Sequence, residues 1–132
     1  MSAPKILYCH CTHAQVVPPE VKAAVLQKLC ESGVSFEAVA DLCEMSARRD
    51  PALARLVAGG SVKIAACYPR AVKWLFASAQ APLDPAATEV LNMRTQTAEE
   101  VAAALLRPEL QANLPVGKET KPSEAELPSA TT

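Results

Sequence analysis

The amino-acid sequence predicts a three-layer α/β/α domain built on a four-stranded parallel β-sheet. Strand-like and helix-like patterns alternate four times along the chain, and this alternation is typical of sheets whose strands are joined by helical crossovers. The apolar residues of the first strand-like run, at residues 5–9, are continuous, as expected for a strand that is covered by helices on both faces. With 132 residues, of which 50% are hydrophobic, the chain suits one domain with one modest core.

Cap and turn residues delimit the elements of the first half of the chain. A helix is predicted to begin at Pro19, because proline fits the first helical turn, and to end before Gly33, a typical left-handed terminator. A second helix is predicted to begin at Pro51, which suits the first helical position, with Asp50 as its N-cap residue. The elements of this half are a strand at residues 5–9, a helix at 19–32, a strand at 34–42, a connection at 45–49 and a helix that ends at the Gly59-Gly60 pair.

The second half contains the clearest strand, at residues 61–66, followed by a helix that begins at Pro69. We expect Trp74 to lie on the buried face of that helix. Thr97 and Glu100 form a capping box, in which each side chain accepts a backbone hydrogen bond near the start of the last helix. The elements of this half are a strand at 61–66, a helix at 69–80, a loop at 81–87, a strand at 88–93 and a helix that ends by Pro108.

The C-terminal residues 113–132 differ from the rest of the chain in composition. They are rich in proline, serine, threonine, glutamate and lysine and contain almost nothing apolar. Such a segment cannot bury enough apolar surface to fold, so it is predicted to be a disordered tail. Residues 1–112 are then the folded domain. Its four strands are expected in the flavodoxin-like order 2-1-3-4, with right-handed crossovers.

The overall charge excludes some classes of partner. The formal net charge is -1 and the basic residues are scattered, so we expect neither nucleic acid nor an anionic membrane as a partner. No apolar run approaches the roughly 18 residues needed to span a bilayer, and no signal peptide is expected. These features predict a cytoplasmic protein, in which five cysteines are more naturally ligands or redox groups than disulfides.

Four cysteines fall at or just past the ends of predicted strands. Cys9 and Cys11 follow the first strand, Cys43 the second and Cys67 the third. Neighbouring strands are about 4.8 Å apart, and ligands of such sheets bind at the carboxyl ends of the strands where the strand order reverses. We therefore predict that these four thiols meet at one edge and hold a metal cofactor. Cys30 lies within a helical apolar stripe and is predicted to be a core residue.

The cysteine residues alone are compatible with more than one metal cofactor. Four thiolates suit zinc or an iron–sulfur cluster. Structural zinc sites tend to use two tight Cys-x2–4-Cys pairs, and the single short pair here favours the cluster, although its spacing matches neither common ferredoxin pattern. His10 and His13 flank the short pair, and each is either a participant or a solvent-exposed loop residue. The helix from Pro69 directs its positive end towards Cys67, which favours thiolate there.

Two motifs resemble the N-terminal domain of the flavin- and iron–sulfur-containing subunit of heterodisulfide reductase. Cys9-His10-Cys11 matches a Cys-His-Cys motif that ends the first strand of that domain. The stretch at residues 65–70 matches an Ala-Ser-Cys-x-Pro-Arg motif, and Leu75-Phe76 follows at a comparable place. The likeness covers residues 5–101. It departs at Ala71-Val72-Lys73, where the family has Thr-His-Glu.

The resemblance implies a stand-alone module rather than a complete enzyme. Its cofactor is expected to be a 4Fe–4S cluster, and its partner a flavin or iron–sulfur component of an oxidoreductase. The family also carries a cysteine after its second strand, as Cys43 is placed here, so the implied ligands are Cys9, Cys11, Cys43 and Cys67. Two alternatives are a metal-free thiol redox or sulfur-carrier protein that uses Cys9 and Cys11, and an interaction domain with structural zinc.

Overall fold

The protein was analysed as a computed structural model. The structure describes residues 4–10, 17–58 and 60–114. Three of the residues discussed above, Cys11, His13 and Gly59, lie outside this part of the chain, as do residues 115–132 of the predicted tail. No helix in the described part is both long enough and apolar enough to cross a lipid bilayer.

Four parallel strands form one sheet with the order 2-1-3-4, which confirms the predicted fold class. The strands are β1 (Lys5–Cys9), β2 (Glu37–Val39), β3 (Val62–Ala66) and β4 (Thr88–Asn92). The helices are α1 (Pro19–Ser32), α2 (Leu42–Ala47), α3 (Ala52–Val57), α4 (Pro69–Ser78) and α5 (Ala98–Leu106), and a short 3-10 helix spans Pro85–Ala87.

Helices cover both faces of the sheet. On one face, α1 packs against α5. The Tyr8 hydroxyl of β1 donates a hydrogen bond to the Lys22 carbonyl of α1 at 2.9 Å. On the other face, α2 packs against α4, and the Ser46 hydroxyl donates to the Leu75 carbonyl at 2.8 Å. Both β3 and β4 are buried along their whole length, as expected for strands between two helical layers.

A buried lysine joins the sheet to the end of α5. Lys63 lies opposite Glu89 in the β3–β4 register, and its ammonium lies 3.9 Å from the Glu89 carboxylate. The Lys63 side chain is 0% exposed. It donates hydrogen bonds to the Ala104 carbonyl at 2.6 Å and to the Arg107 carbonyl. A positive charge therefore satisfies carbonyl groups at the carboxyl end of α5, where the helix dipole favours it. Burial lowers the pKa of Lys63 from its ordinary value of 10.5, although the Glu89 carboxylate opposes this shift.

The segment after α5 covers the outer edge of β4. The side-chain oxygen of Asn113 accepts a hydrogen bond from the Val90 nitrogen, and its amide nitrogen donates to the Val90 carbonyl, both at 2.8 Å. Asn113 also donates from its backbone nitrogen to the Thr88 carbonyl, and Leu114 is buried. Asn113, the first residue of the predicted tail, thus occupies backbone groups that an edge strand otherwise exposes.

Several predicted element boundaries agree with the structure, and others do not. Gly33 ends α1 with φ 77°, and both hydrogen bonds of the capping box at Thr97 are present. The prediction of a strand over residues 34–42 and a connection over 45–49 is wrong. The structure has a strand of three residues, and Asp41 then starts α2 by accepting a hydrogen bond from the Glu44 nitrogen at 3.1 Å. An N-cap that satisfies a free backbone donor favours this early helix.

Two predictions about burial are also wrong. The sequence pattern places Trp74 in the core, but this residue is 48% exposed, because the buried side of α4 is formed by Val72 and Phe76. The pattern also places Cys30 in the core, and it is exposed, because Val25 and Leu29 form the buried side of α1. In each helix the apolar stripe is narrower than the sequence pattern indicates.

Candidate functional site

Three of the four predicted ligand cysteines converge at the carboxyl edge of the sheet. Cys9 is the last residue of β1, Cys67 is the first residue after β3, and Cys43 is the second residue of α2. All three line one cavity of about 20 Å³. Cys11, the fourth predicted ligand, lies outside the described residues. The other residues of the cavity wall are Asp41, Leu42, Ala66, Val72 and Leu75.

The position of Cys9 follows from the strand register. Tyr8 lies opposite Ala65 of β3, and it faces the layer of α1 and α5. Successive side chains of a strand point to opposite faces, so Cys9 faces the layer of α2 and α4. There its sulfur accepts a hydrogen bond from the Leu42 nitrogen at 3.4 Å. Cys9 is 5% exposed, and it is therefore the most buried of the three cysteines that line the cavity.

Cys43 reaches the cavity from a helix rather than from a strand end. The turn at Asp41 directs the chain into α2 directly after β2, and Cys43 lies in the first turn of this helix. Asp41 is 1% exposed, and its carboxylate caps the helix through the Glu44 nitrogen. Sequence reasoning missed Asp41 as part of the site. The signal was present, because aspartate followed by glutamate three residues later is typical of a helix start.

Cys67 lies between β3 and α4, and its side chain is partly exposed to solvent. Cys43 is exposed and Cys67 is intermediate in exposure, so the three thiols extend from the interior at Cys9 to the surface. Pro69 is the first residue of α4, and Tyr68 is its N-cap residue. The positive end of the α4 dipole is therefore close to Cys67, which favours the thiolate form of a ligand or nucleophile.

The described thiols fit a soft metal in their chemistry but do not complete a metal-binding group by themselves. Thiolate is the ligand that iron–sulfur clusters and zinc share. Within residues 4–10, 17–58 and 60–114, however, no three cysteine, histidine, aspartate or glutamate side chains are arranged to hold a metal ion. The cavity volume is close to that of a single water probe. A cluster therefore requires space beyond the cavity and a contribution from Cys11, as the sequence predicts.

The histidines flanking the short cysteine pair differ in what the structure describes. His10 donates from its backbone nitrogen to the Val39 carbonyl at 2.8 Å, which extends the pairing of β1 with β2. Its ring centroid lies 5.8 Å from that of Tyr8, an aromatic contact. His13 lies outside the described part of the chain. The structure thus gives His10 a packing role on the side chain of Tyr8.

A larger cavity lies at the opposite edge of the sheet. It has a volume of about 700 Å³ and is formed by the start of β1, the approach to β2, α3 and the end of α5. No cysteine or histidine belongs to its described wall. Size alone favours this cavity as a ligand site. The groups able to perform redox or metal chemistry are at the cysteine edge, however, and we therefore place the candidate site there.

Comparison with known proteins adds no identification. No protein-family model matches the chain, and no curated protein or solved structure matches it. The functional inference therefore depends on the geometry of the cysteine edge and on the motif resemblance given by the sequence.

Proposed function

We propose that this protein is a small iron–sulfur-cluster-binding module that transfers electrons or serves as an accessory component of an oxidoreductase. The observation that carries the proposal is the convergence of Cys9, Cys43 and Cys67 from three separate elements on one cavity. This cavity lies at the carboxyl ends of the strands, next to the point where the strand order reverses. Open parallel sheets bind their ligands at such a position.

The surroundings of the thiols support a thiolate-bound centre. The Leu42 nitrogen donates to the Cys9 sulfur, and hydrogen bonds to ligand sulfurs are one of the means by which a protein sets the potential of a cluster. The positive end of α4 offsets part of the negative charge at Cys67. When bound, the cluster supplies a one-electron redox centre. The chain supplies Cys9, Cys11, Cys43 and Cys67 as its ligands.

The motif resemblance extends the proposal to the cofactor type and the partner. Cys9-His10-Cys11 and Cys67-Tyr68-Pro69-Arg70 are similar to the motifs of the flavin-containing component of heterodisulfide reductase. We accordingly propose a 4Fe–4S cluster, and we propose that the redox partner is a flavin or iron–sulfur component of an oxidoreductase. Thiols in this state require a reducing compartment, which favours the cytoplasm.

A cysteine replacement series tests the ligand assignment. Each of Cys9, Cys11, Cys43 and Cys67 is changed to serine, and iron and acid-labile sulfide are measured after anaerobic reconstitution. Cys30→Ser is the matched control, since Cys30 is exposed and lies on α1 away from the cavity wall. We expect loss of iron and sulfide in the four variants and full content in the control. Equal iron in Cys67→Ser and in the control would contradict the assignment.

Metal-free thiol chemistry is the second candidate, and the partial exposure of Cys67 at the start of α4 favours it. From the sequence, this chemistry was expected at Cys9 and Cys11, but Cys9 is buried. We therefore assign the reactive thiol to Cys67. It predicts that Cys67 reacts with iodoacetamide faster than Cys30, because a helix N-terminus stabilises the thiolate. Peptide mass spectrometry of partially alkylated protein measures both rates. Equal rates at the two positions would exclude this candidate.

A further inference from the structure

We propose that the outer face of α4 is a docking surface for an acidic protein partner. We define this α4 outer face by the exposed side chains of Arg70 and Trp74. The helix starts two residues after Cys67, so a partner bound here lies beside the cysteine edge. The nature of the partner as an electron-transfer protein rests on the proposed function. The docking surface itself does not require a cluster.

The first observation is the exposure of Trp74. Val72 and Phe76 form the buried side of α4, and Trp74, two residues from each, projects from the opposite side. At 48% exposed it is the most exposed of the large hydrophobic residues in the described part of the chain. Arg70 is one helical turn away at the i, i+4 spacing, which places the two side chains next to each other on the helix surface. Tryptophan and arginine are among the residues most enriched at the energetic centres of protein interfaces.

The second observation is the sign of the local charge. The chain as a whole has a formal net charge of -1, yet no aspartate or glutamate occurs between residues 64 and 83 or between residues 90 and 98. The exposed Arg70 of α4 and the Arg94 guanidinium beside Tyr68 therefore give the α4 outer face and its surroundings a basic character on an otherwise balanced protein. A basic surface accelerates encounter with an acidic partner and rejects basic ones.

The surface continues past the start of α4. Tyr68, the N-cap residue, is 43% exposed. The guanidinium of Arg94, from the loop after β4, lies 4.8 Å from the centre of the Tyr68 ring, a cation–π geometry. A second aromatic and a second arginine are thus held together next to Cys67.

The arrangement favours protein over nucleic acid as the partner. Proteins that bind single strands combine stacked aromatics with a groove that follows the phosphate backbone. Here the cations are confined to one helix face and one loop, and the net charge of the chain is negative. A short cationic patch around one exposed tryptophan is complementary in charge and polarity to a partner protein whose apolar pocket is surrounded by acidic residues.

Trp74 is the only tryptophan of the chain, so its fluorescence reports on this surface alone. We expect iodide, an anion, to quench Trp74 more strongly than caesium at low salt when each rate is divided by that for free N-acetyltryptophanamide, and we expect this excess to vanish at high salt as the charges are screened. Arg70→Glu should abolish the excess at low salt. Arg55→Glu is the control, because Arg55 is exposed but lies on α3. Equal quenching by both ions at low salt, relative to free N-acetyltryptophanamide, would overturn the proposed basic surface.

Binding is tested with a fluorescein-labelled peptide of glutamates interspersed with leucines, followed by fluorescence anisotropy. We expect salt-sensitive binding that weakens by about tenfold in Trp74→Ala and in Arg70→Glu and is unchanged in Arg55→Glu. Absence of peptide binding, or equal binding by all variants, would overturn the proposal. Tighter binding of a single-stranded oligonucleotide than of the peptide would overturn it in favour of nucleic acid.

These measurements separate the docking surface from the cluster. Peptide binding by protein that contains no iron after reconstitution supports the surface and contradicts the proposed function. Protein that holds iron and sulfide but does not bind the peptide supports the proposed function and contradicts the docking surface.

Discussion

The sulfur of Cys9 lies 3.4 Å from the backbone nitrogen of Leu42 and accepts its hydrogen bond. This contact joins the end of β1 to the first residue of α2, the helix that carries Cys43. A change in the start of α2 therefore alters the surroundings of two thiols at once. The residue that fixes the start of this helix is Asp41.

Replacing Asp41 by alanine should destabilise the protein and expose Cys9. Loss of the N-cap costs about 1 kcal/mol of unfolding free energy, measurable by urea denaturation. Because the Leu42 nitrogen follows the cap directly, we also expect faster alkylation of Cys9 in the native state. Thr97→Ala is the control, since it removes the cap of α5 and leaves the cysteine edge intact. If Cys9 is equally protected in both variants, the cap has no role in positioning the thiol.

Replacing Lys63 by methionine should cost about 3 kcal/mol of unfolding free energy, because one partner of a buried charged network is removed while the other remains. The carboxylate of Glu89 then retains the Arg107 guanidinium at 2.8 Å and the Gln111 nitrogen at 3.0 Å. Two carbonyl groups at the end of α5 also lose the lysine donor. Thermal and urea unfolding measure the change.

Lys5→Met is the matched control for this change. Lys5 begins the neighbouring strand and donates to the Ala58 carbonyl at 2.9 Å, but that hydrogen bond is exposed. A loss below about 1 kcal/mol is expected, as for exposed polar contacts. Equal losses in the two variants would show that burial of Lys63 contributes nothing.

The stability of the protein should depend on the titration of Lys63 at alkaline pH. Its pKa in the folded state is below the ordinary value of 10.5 because of burial. Between these two pKa values the unfolded chain binds more protons than the folded one, so the contribution of Lys63 to stability rises with pH. Below the folded pKa the cost of burying the charge is present in full. The difference in unfolding free energy between the wild type and Lys63→Met should therefore widen as pH approaches 10.5. A difference that narrows over this interval would contradict the direction of the shift.

Replacing Asn113 by alanine should uncover the edge of β4. The Val90 backbone nitrogen and carbonyl both lose their side-chain partner, and an unsatisfied buried pair costs about 2 kcal/mol. An open edge also invites pairing between chains, so analytical ultracentrifugation should show self-association that the wild type lacks. Gln111→Ala is the control, because Gln111 contacts Glu89 through its backbone nitrogen. A monomeric Asn113→Ala of unchanged stability would exclude this role.

The fold was predictable because its signals are local and strong. The buried strand β3 is apolar at every position except Lys63, and residues such as Pro19 and Gly33 mark helix ends through fixed backbone preferences. The short edge strand β2 was not predictable in its true length. Residues 34–42 contain apolar positions that suit a strand, and the capping role of Asp41 overrides them at the end of that run.

The site was predictable in part, because parallel strands bring their carboxyl ends to one edge. Cys9 and Cys67 were expected at one edge for this reason, and both line the same cavity. Cys43 reaches the same cavity from α2, a helix that was not predicted because the N-cap signal at Asp41 was assigned to a strand. The buried pair of Lys63 and Glu89 was not visible, because two charged residues on separate strands become neighbours only once the strand register is known.

The measurement that tests the central proposal most directly is the iron and acid-labile sulfide content of wild-type protein purified without oxygen, together with its visible absorption spectrum. The convergence of Cys9, Cys43 and Cys67 on one cavity predicts iron and sulfide in comparable amounts and a broad visible absorption that reduction bleaches. A folded protein that remains colourless and free of iron and sulfide, even after anaerobic reconstitution, would contradict the proposal.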